Sequence, residues 1–128
     1  MVTVLMPYIG GVLSVNDYKV YRKGFTTNAT KPIVKYWMSS LTARVKDHPE
    51  FESVHHKDVT IKLTGFFKDS RHCDLHNLHK IIADAIESAI EVNDKYAKFI
   101  DGDSLIGHHP PVIRIEIFSN QQEVVQSA

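Results

Sequence analysis

Residues 71–80 read RHCDLHNLHK and gather three histidines, an aspartate, an asparagine, a lysine and the only cysteine of the 128-residue chain. Carboxylates and imidazoles this close together can hold a divalent cation. A lysine beside them can offset the charge that develops on a phosphate as a phosphodiester is cut. On a helix, Asn77 and Asp84 fall within about 20° of each other, and Asp74 within about 80° of both. If residues 72–76 are extended instead, Asp74 and His76 point the same way, because side chains alternate along a strand. Either geometry brings an oxygen ligand and an imidazole together. Lys80 lies one turn beyond His76, and a helix N-terminus favours phosphate nearby. Asp94 follows the helix and completes the cluster if the loop folds back.

The same residues carry plainer readings. Asp74 can act as an N-cap, worth about 1 kcal/mol. His79 borders the apolar stripe and reads as a packed histidine, Asp84 as a solvated helix residue, and Cys73 as an inert thiol. His72, His76 and His79 have the i, i+4 and i, i+3 spacings of a zinc site, a weak signal in a chain with 8 histidines. The His108–His109 pair reads as surface loop.

The elements that must position these residues follow from periodicity. A length of 128 residues with 43% hydrophobic and 23% charged content suits one globular domain over residues 1–128. No apolar run is long enough to span a bilayer and no leader is evident at the start, so no membrane partner is expected. A single cysteine points to a reducing, cytoplasmic setting. Residues 1–8 read as a strand. Residues 9–31 read as a long irregular stretch with part of it a hairpin through Tyr18 to Tyr21. A helix follows, N-capped by Thr30 with Pro32 in its first turn; Val34, Trp37, Met38, Leu41 and Val45 recur at helical spacing. Trp37 reads as core rather than as a stacking platform. DVTIKLTGFF at 58–67 alternates as a half-buried strand. A second helix covers about 75–91, residues 92–110 read as a loop, VIRIEIF at 112–118 is the last strand, and 121–128 is a frayed tail. The expected fold class is α+β: two helices on one mixed β-sheet.

Charge is unevenly spread although the net charge is zero. Residues 1–46 carry seven basic side chains against Asp17 alone, a net of +6, and the remainder carries a net of −6. A cationic segment can hold phosphates and an acidic one can hold metal; a solvated surface of uneven charge is the plainer alternative.

In order along the chain, SVNDY at 14–18, TIKLTGFFKDSRHCDLHNLHKIIADAI, VND at 92–94 and VIRIEI together resemble the RusA-type Holliday-junction resolvases, the crossover junction endodeoxyribonucleases common in prophages. That family has Ser-x-Asn with aromatics near its N-terminus, then Asp-x-Asp-Asn-x-x-Lys opening a helix that runs into Asp-Ala, then an acidic pair and a final strand. The resemblance implies a RusA-like fold and a homodimer that resolves four-way or branched DNA in recombination and repair, with Mg²⁺ as cofactor, in a bacterial or phage setting. It implies that Asp74, His76 and Asp94 bind metal with Asp84 in support, and that Lys80 is the active-site lysine. Asn77 would orient the cluster, and Asn16, Tyr18, Lys19, Arg22, Lys23 and Arg71 would face DNA. His76 stands where the family has a second aspartate, and Asn93 stands first in the acidic pair. An imidazole suits Mn²⁺ better than Mg²⁺. A homologue that binds branched DNA without cutting it is the alternative, and a small zinc-binding protein is a further one.

Overall fold

The two ends of the chain pair with each other in the computed structural model, which describes residues 1–22, 24–92 and 97–120. Lys23, Asn93, Asp94 and the tail 121–128 lie outside the described residues. In chain order the elements are β1 (Val2–Pro7), β2 (Lys19–Arg22), β3 (Phe25–Thr30), α1 (Pro32–Lys46), β4 (Val59–Phe67), α2 (His79–Ile90), β5 (Lys98–Ile106) and β6 (Val112–Ser119). Short 3₁₀ turns stand at Gly11–Leu13, Phe51–Ser53 and Leu75–Leu78. The fold is α+β, with a four-stranded mixed sheet in the order β1–β6–β4–β5 and a separate β2–β3 hairpin. β6 runs antiparallel to both β1 and β4, whereas β5 runs parallel to β4.

Alternation decides which side of the sheet is dry. Val2, Val4 and Met6 of β1, Ile61 and Leu63 of β4, and Ile113, Ile115 and Ile117 of β6 are all buried. They share one core with Val34, Trp37, Leu41 and Val45 of α1 and with Ile81, Ile82, Ala85, Ile86, Ala89 and Ile90 of α2. Burying each large aliphatic side chain contributes about 1.5–3 kcal/mol, so these stripes fix how both helices lie. Trp37 is core, and its indole N–H donates to the Pro7 carbonyl at 2.8 Å. No helix among the described residues is long and apolar enough to cross a membrane.

Four expectations change. The stretch 92–110 contains β5, an edge strand whose side chains are mostly exposed, so it lacks the apolar alternation that marks a strand. The helix expected over 75–91 starts as a 3₁₀ turn, Leu75–Leu78, and becomes α-helical at His79. Thr30 ends β3, so the N-cap position of α1 falls to Lys31, with Pro32 in the first turn. β4 is not half-buried: Thr60 and Thr64 on its second face are only 2% and 4% exposed. The Thr60 hydroxyl donates to Asn120 Oδ1 at 2.7 Å, and the Arg114 guanidinium lies 5.3 Å from the centre of the Phe66 ring, beside Thr64.

Gly65 interrupts β4 where its register with β5 shifts. A Cβ there would stand 2.1 Å from the Phe67 ring, and Phe67 is itself fully buried. The ring has nowhere to retreat, so Gly65→Ala is expected to destabilise the fold by about 1–3 kcal/mol, the usual cost of overpacking. Denaturant unfolding checks this; a midpoint equal to that of the native chain would show that Phe67 can move.

Candidate functional site

Phe67, the last residue of β4, begins the path to the candidate site. The His72 ring stacks on it at 3.9 Å with 8° between planes, and the Tyr8 ring meets it edge-on at 4.9 Å. His72 Nδ1–H donates to the Cys73 carbonyl at 2.9 Å, and the Cys73 N–H donates to the Tyr8 hydroxyl at 3.1 Å. These contacts hold the 71–74 segment against β1 and β4 before the 3₁₀ turn begins. His72 is thereby a positioning ring. Arg71 pairs with Asp69, which accepts from both its backbone N–H and its guanidinium at 2.9 Å. Those bonds hold the Asp69 carboxyl below its ordinary range.

Asp74 occupies the N-cap position of the 3₁₀ turn, and its carboxylate makes no capping hydrogen bond. The capping role open to it in the sequence is therefore unused, and the exposed carboxylate is left for another partner. Its carbonyl accepts from the Asn77 N–H at 3.0 Å. His76 is exposed on the same turn. Lys80, on the first turn of α2, reaches Asp84 at 3.4 Å, an i, i+4 pair. Asp84, expected among the metal ligands, thus stands against Lys80 and lines the groove between α1 and α2 together with Lys35 and Lys46.

The N-terminal loop is tied directly to this turn. The Val15 N–H donates to the Asn77 carbonyl at 2.8 Å, so Asn16, which is exposed, lies beside the Asp74–Asn77 turn. Ser14 is buried and organises the loop: its carbonyl accepts from the Asp17 and Tyr18 N–H groups, and its hydroxyl accepts from the Asn16 N–H at 3.3 Å. Tyr18, expected to face DNA, is instead 8% exposed and part of the core. An aromatic ring one residue from a strand gains more from burial than from solvent. Lys19 Nζ lies 5.6 Å from its ring centre. Nothing is described of the Arg22 side chain, and Lys23 and Asp94 fall outside the described residues.

Cys73 registers the local field. Burial pushes its thiol up, and the charges of Asp74 and Asp17 push it further. The thiol is thus kept protonated, in agreement with an inert cysteine. The charges of Asp17 and Asp74 thus act in the same direction on this thiol, behind the larger effect of burial. Asp17 sits inside SVNDY, and the composition marks it as the lone acid of a basic third, which was the signal available for it.

The three histidines do not make a zinc site. His72 is stacked on Phe67, while His79 Nε2 bonds Asp101 Oδ1 at 2.7 Å and stacks on Phe99 at 3.9 Å. Asp101 and Phe99 belong to β5, so this anchor was hidden with that strand. Among the described residues, Asp74, His76 and Asp84 do not form a three-ligand group close enough to share one ion; the group that does is His55, His56 and Glu91. In comparison with known proteins, the chain matches no family model and no curated protein.

If Asp74 and Asp17 both face Cys73, removing either charge must lower the thiol pKa. The pH midpoint of Cys73 alkylation is expected to fall in Asp74→Asn and in Asp17→Asn and to stay put in Asp84→Asn. An unchanged midpoint in the first two would separate the loop from the turn.

Proposed function

We propose that the chain is a divalent-metal-dependent, structure-specific endodeoxyribonuclease of the RusA type, acting on four-way and branched DNA in recombination and repair. The reading is supported by one juxtaposition: the SVNDY loop is hydrogen-bonded to the CDLHNLHK turn, and that turn carries an exposed, uncapped Asp74. The donor set fits a hard or borderline cation. Asp74 and His76 would hold it with Asp94, and Mn²⁺ suits an imidazole-containing set better than Mg²⁺. Bound there, the ion would supply Lewis acidity toward a phosphoryl oxygen and an acidified water.

The chain's own residues do the rest. Lys80 offsets charge on the scissile phosphate, and Asp84 steadies its ammonium from one turn away. Asn16 and Asn77 offer amides at the junction of loop and turn. Lys19 and the other cations of the first third hold DNA phosphates, and such binding weakens steeply with salt. A homodimer would present two such sites to a nearly two-fold junction.

A second reading has its own support. Among the described residues, Asp74, His76 and Asp84 do not converge as three ligands, which favours a branched-DNA-binding protein that does not cut. Cleavage of a synthetic four-way junction against linear duplex, in Mg²⁺ and in Mn²⁺, separates the two. Paired symmetrical nicks are expected, faster in Mn²⁺. They should be abolished in Asp74→Asn and slowed about 100-fold or more in Lys80→Ala. Junction binding without nicks in either metal would reject the nuclease reading in favour of the second.

A further inference from the structure

The far end of α2, roughly 18 Å along the helix from His79, carries a second constellation. Glu91 is the C-cap of α2, and His55 and His56 lie in the turn that follows the Phe51–Ser53 3₁₀ turn. Both His56 and Glu91 adopt φ of 60°, the left-handed region. Residues other than glycine seldom enter it. The two are bound together, because the His56 N–H donates to the Ile90 carbonyl at 2.8 Å.

This backbone arrangement aims three side chains at one point. His55 Nε2 lies 3.1 Å and His56 Nε2 3.6 Å from the same oxygen, Glu91 Oε2. All three ligand atoms lie within 4.8 Å of one another. In a tetrahedral zinc site, with bonds near 2.1 Å, ligand atoms stand about 3.4 Å apart. The two distances to Glu91 bracket that edge, and the three ligand atoms lie close enough together to share one ion. A plain ion pair explains one imidazole on Glu91; it gives no reason for a second one aimed at the same oxygen.

The rings are also supported. His55 stacks on Phe51 at 4.7 Å and on His56 at 3.8 Å. Its other nitrogen, Nδ1, lies 3.9 Å from Glu52 Oε2. Glu52 thus adds negative charge beside His55, outside the three-residue group itself. Two imidazoles and one carboxylate favour Zn²⁺ and its neighbours over Mg²⁺, and three protein ligands leave a fourth position for water.

We infer that His55, His56 and Glu91 form a binding site for a transition-metal ion of the zinc class, separate from the Asp74 turn and clamping the 55–56 turn to the end of α2. The inference does not depend on nuclease activity, because its test uses no DNA. Titration of the full chain with Zn²⁺ is expected to show one tight site whose occupation raises the melting temperature. Co²⁺ in its place should give the visible absorption of a low-coordinate nitrogen–oxygen site. Affinity should fall at least about tenfold in Glu91→Gln and in His56→Asn. Asparagine tolerates the left-handed backbone, so the second variant tests the ligand and not the fold. Asp74→Asn should bind Zn²⁺ as the native chain does. Absence of binding would overturn the inference, as would equal affinity in Glu91→Gln and His56→Asn or loss of the ion in Asp74→Asn.

Discussion

The candidate site depends on β4 and β5 being parallel neighbours. Two parallel strands cannot be joined by a tight turn, so the chain must leave the end of β4, cross the sheet and return. α2 is that crossover, and its entrance is where Asp74, His76 and Lys80 lie. The entrance is fixed at both ends. Phe67 at the end of β4 holds the His72 ring, and Asp101 of β5 holds His79 on the first turn of α2. The Val15–Asn77 hydrogen bond then adds a third anchor from the N-terminal loop. In open sheets, ligands commonly bind beyond the carboxyl ends of parallel strands, where such crossovers begin. Here the His72 ring packs on Phe67 at the carboxyl end of β4, and the N-terminal loop meets the turn at the Val15–Asn77 hydrogen bond.

Much of this was legible in the sequence because burial writes itself into periodicity. Ile113, Ile115 and Ile117 alternate with Arg114 and Glu116, and the structure buries all three, as it does Val2, Val4 and Met6 of the apolar first strand. The stripes of α1 and α2 were readable for the same reason. β5 was not readable, because an edge strand carrying Lys98, Asp101, Gly102 and Asp103 has little apolar face to alternate. With β5 went Asp101, and without it His79 looked like one more member of a histidine group. Tyr18 failed differently: its neighbours in SVNDY are exposed or polar, and only the fold places its ring in the core. Asp17 and Asp74 stand 57 positions apart, so no local pattern links the two. The His55–His56–Glu91 group rests on two left-handed residues that no local pattern announces.

The electrostatic division of the chain gains a physical meaning in the fold. The basic first third supplies the N-terminal loop and α1, while the acidic remainder supplies the turn and α2. The Val15–Asn77 contact brings the two halves together.

The central claim is that the N-terminal loop and the Asp74–Lys80 turn form a single metal-binding place. Paramagnetic broadening of backbone amide resonances by Mn²⁺, followed on the full chain in solution, tests it most directly, because broadening falls steeply with distance from the ion. The account predicts that the amides of Val15, Asn16 and Asp17 broaden together with those of Asp74 to Lys80, and that Asp74→Asn removes both effects. Mn²⁺ that leaves these two segments sharp would contradict it.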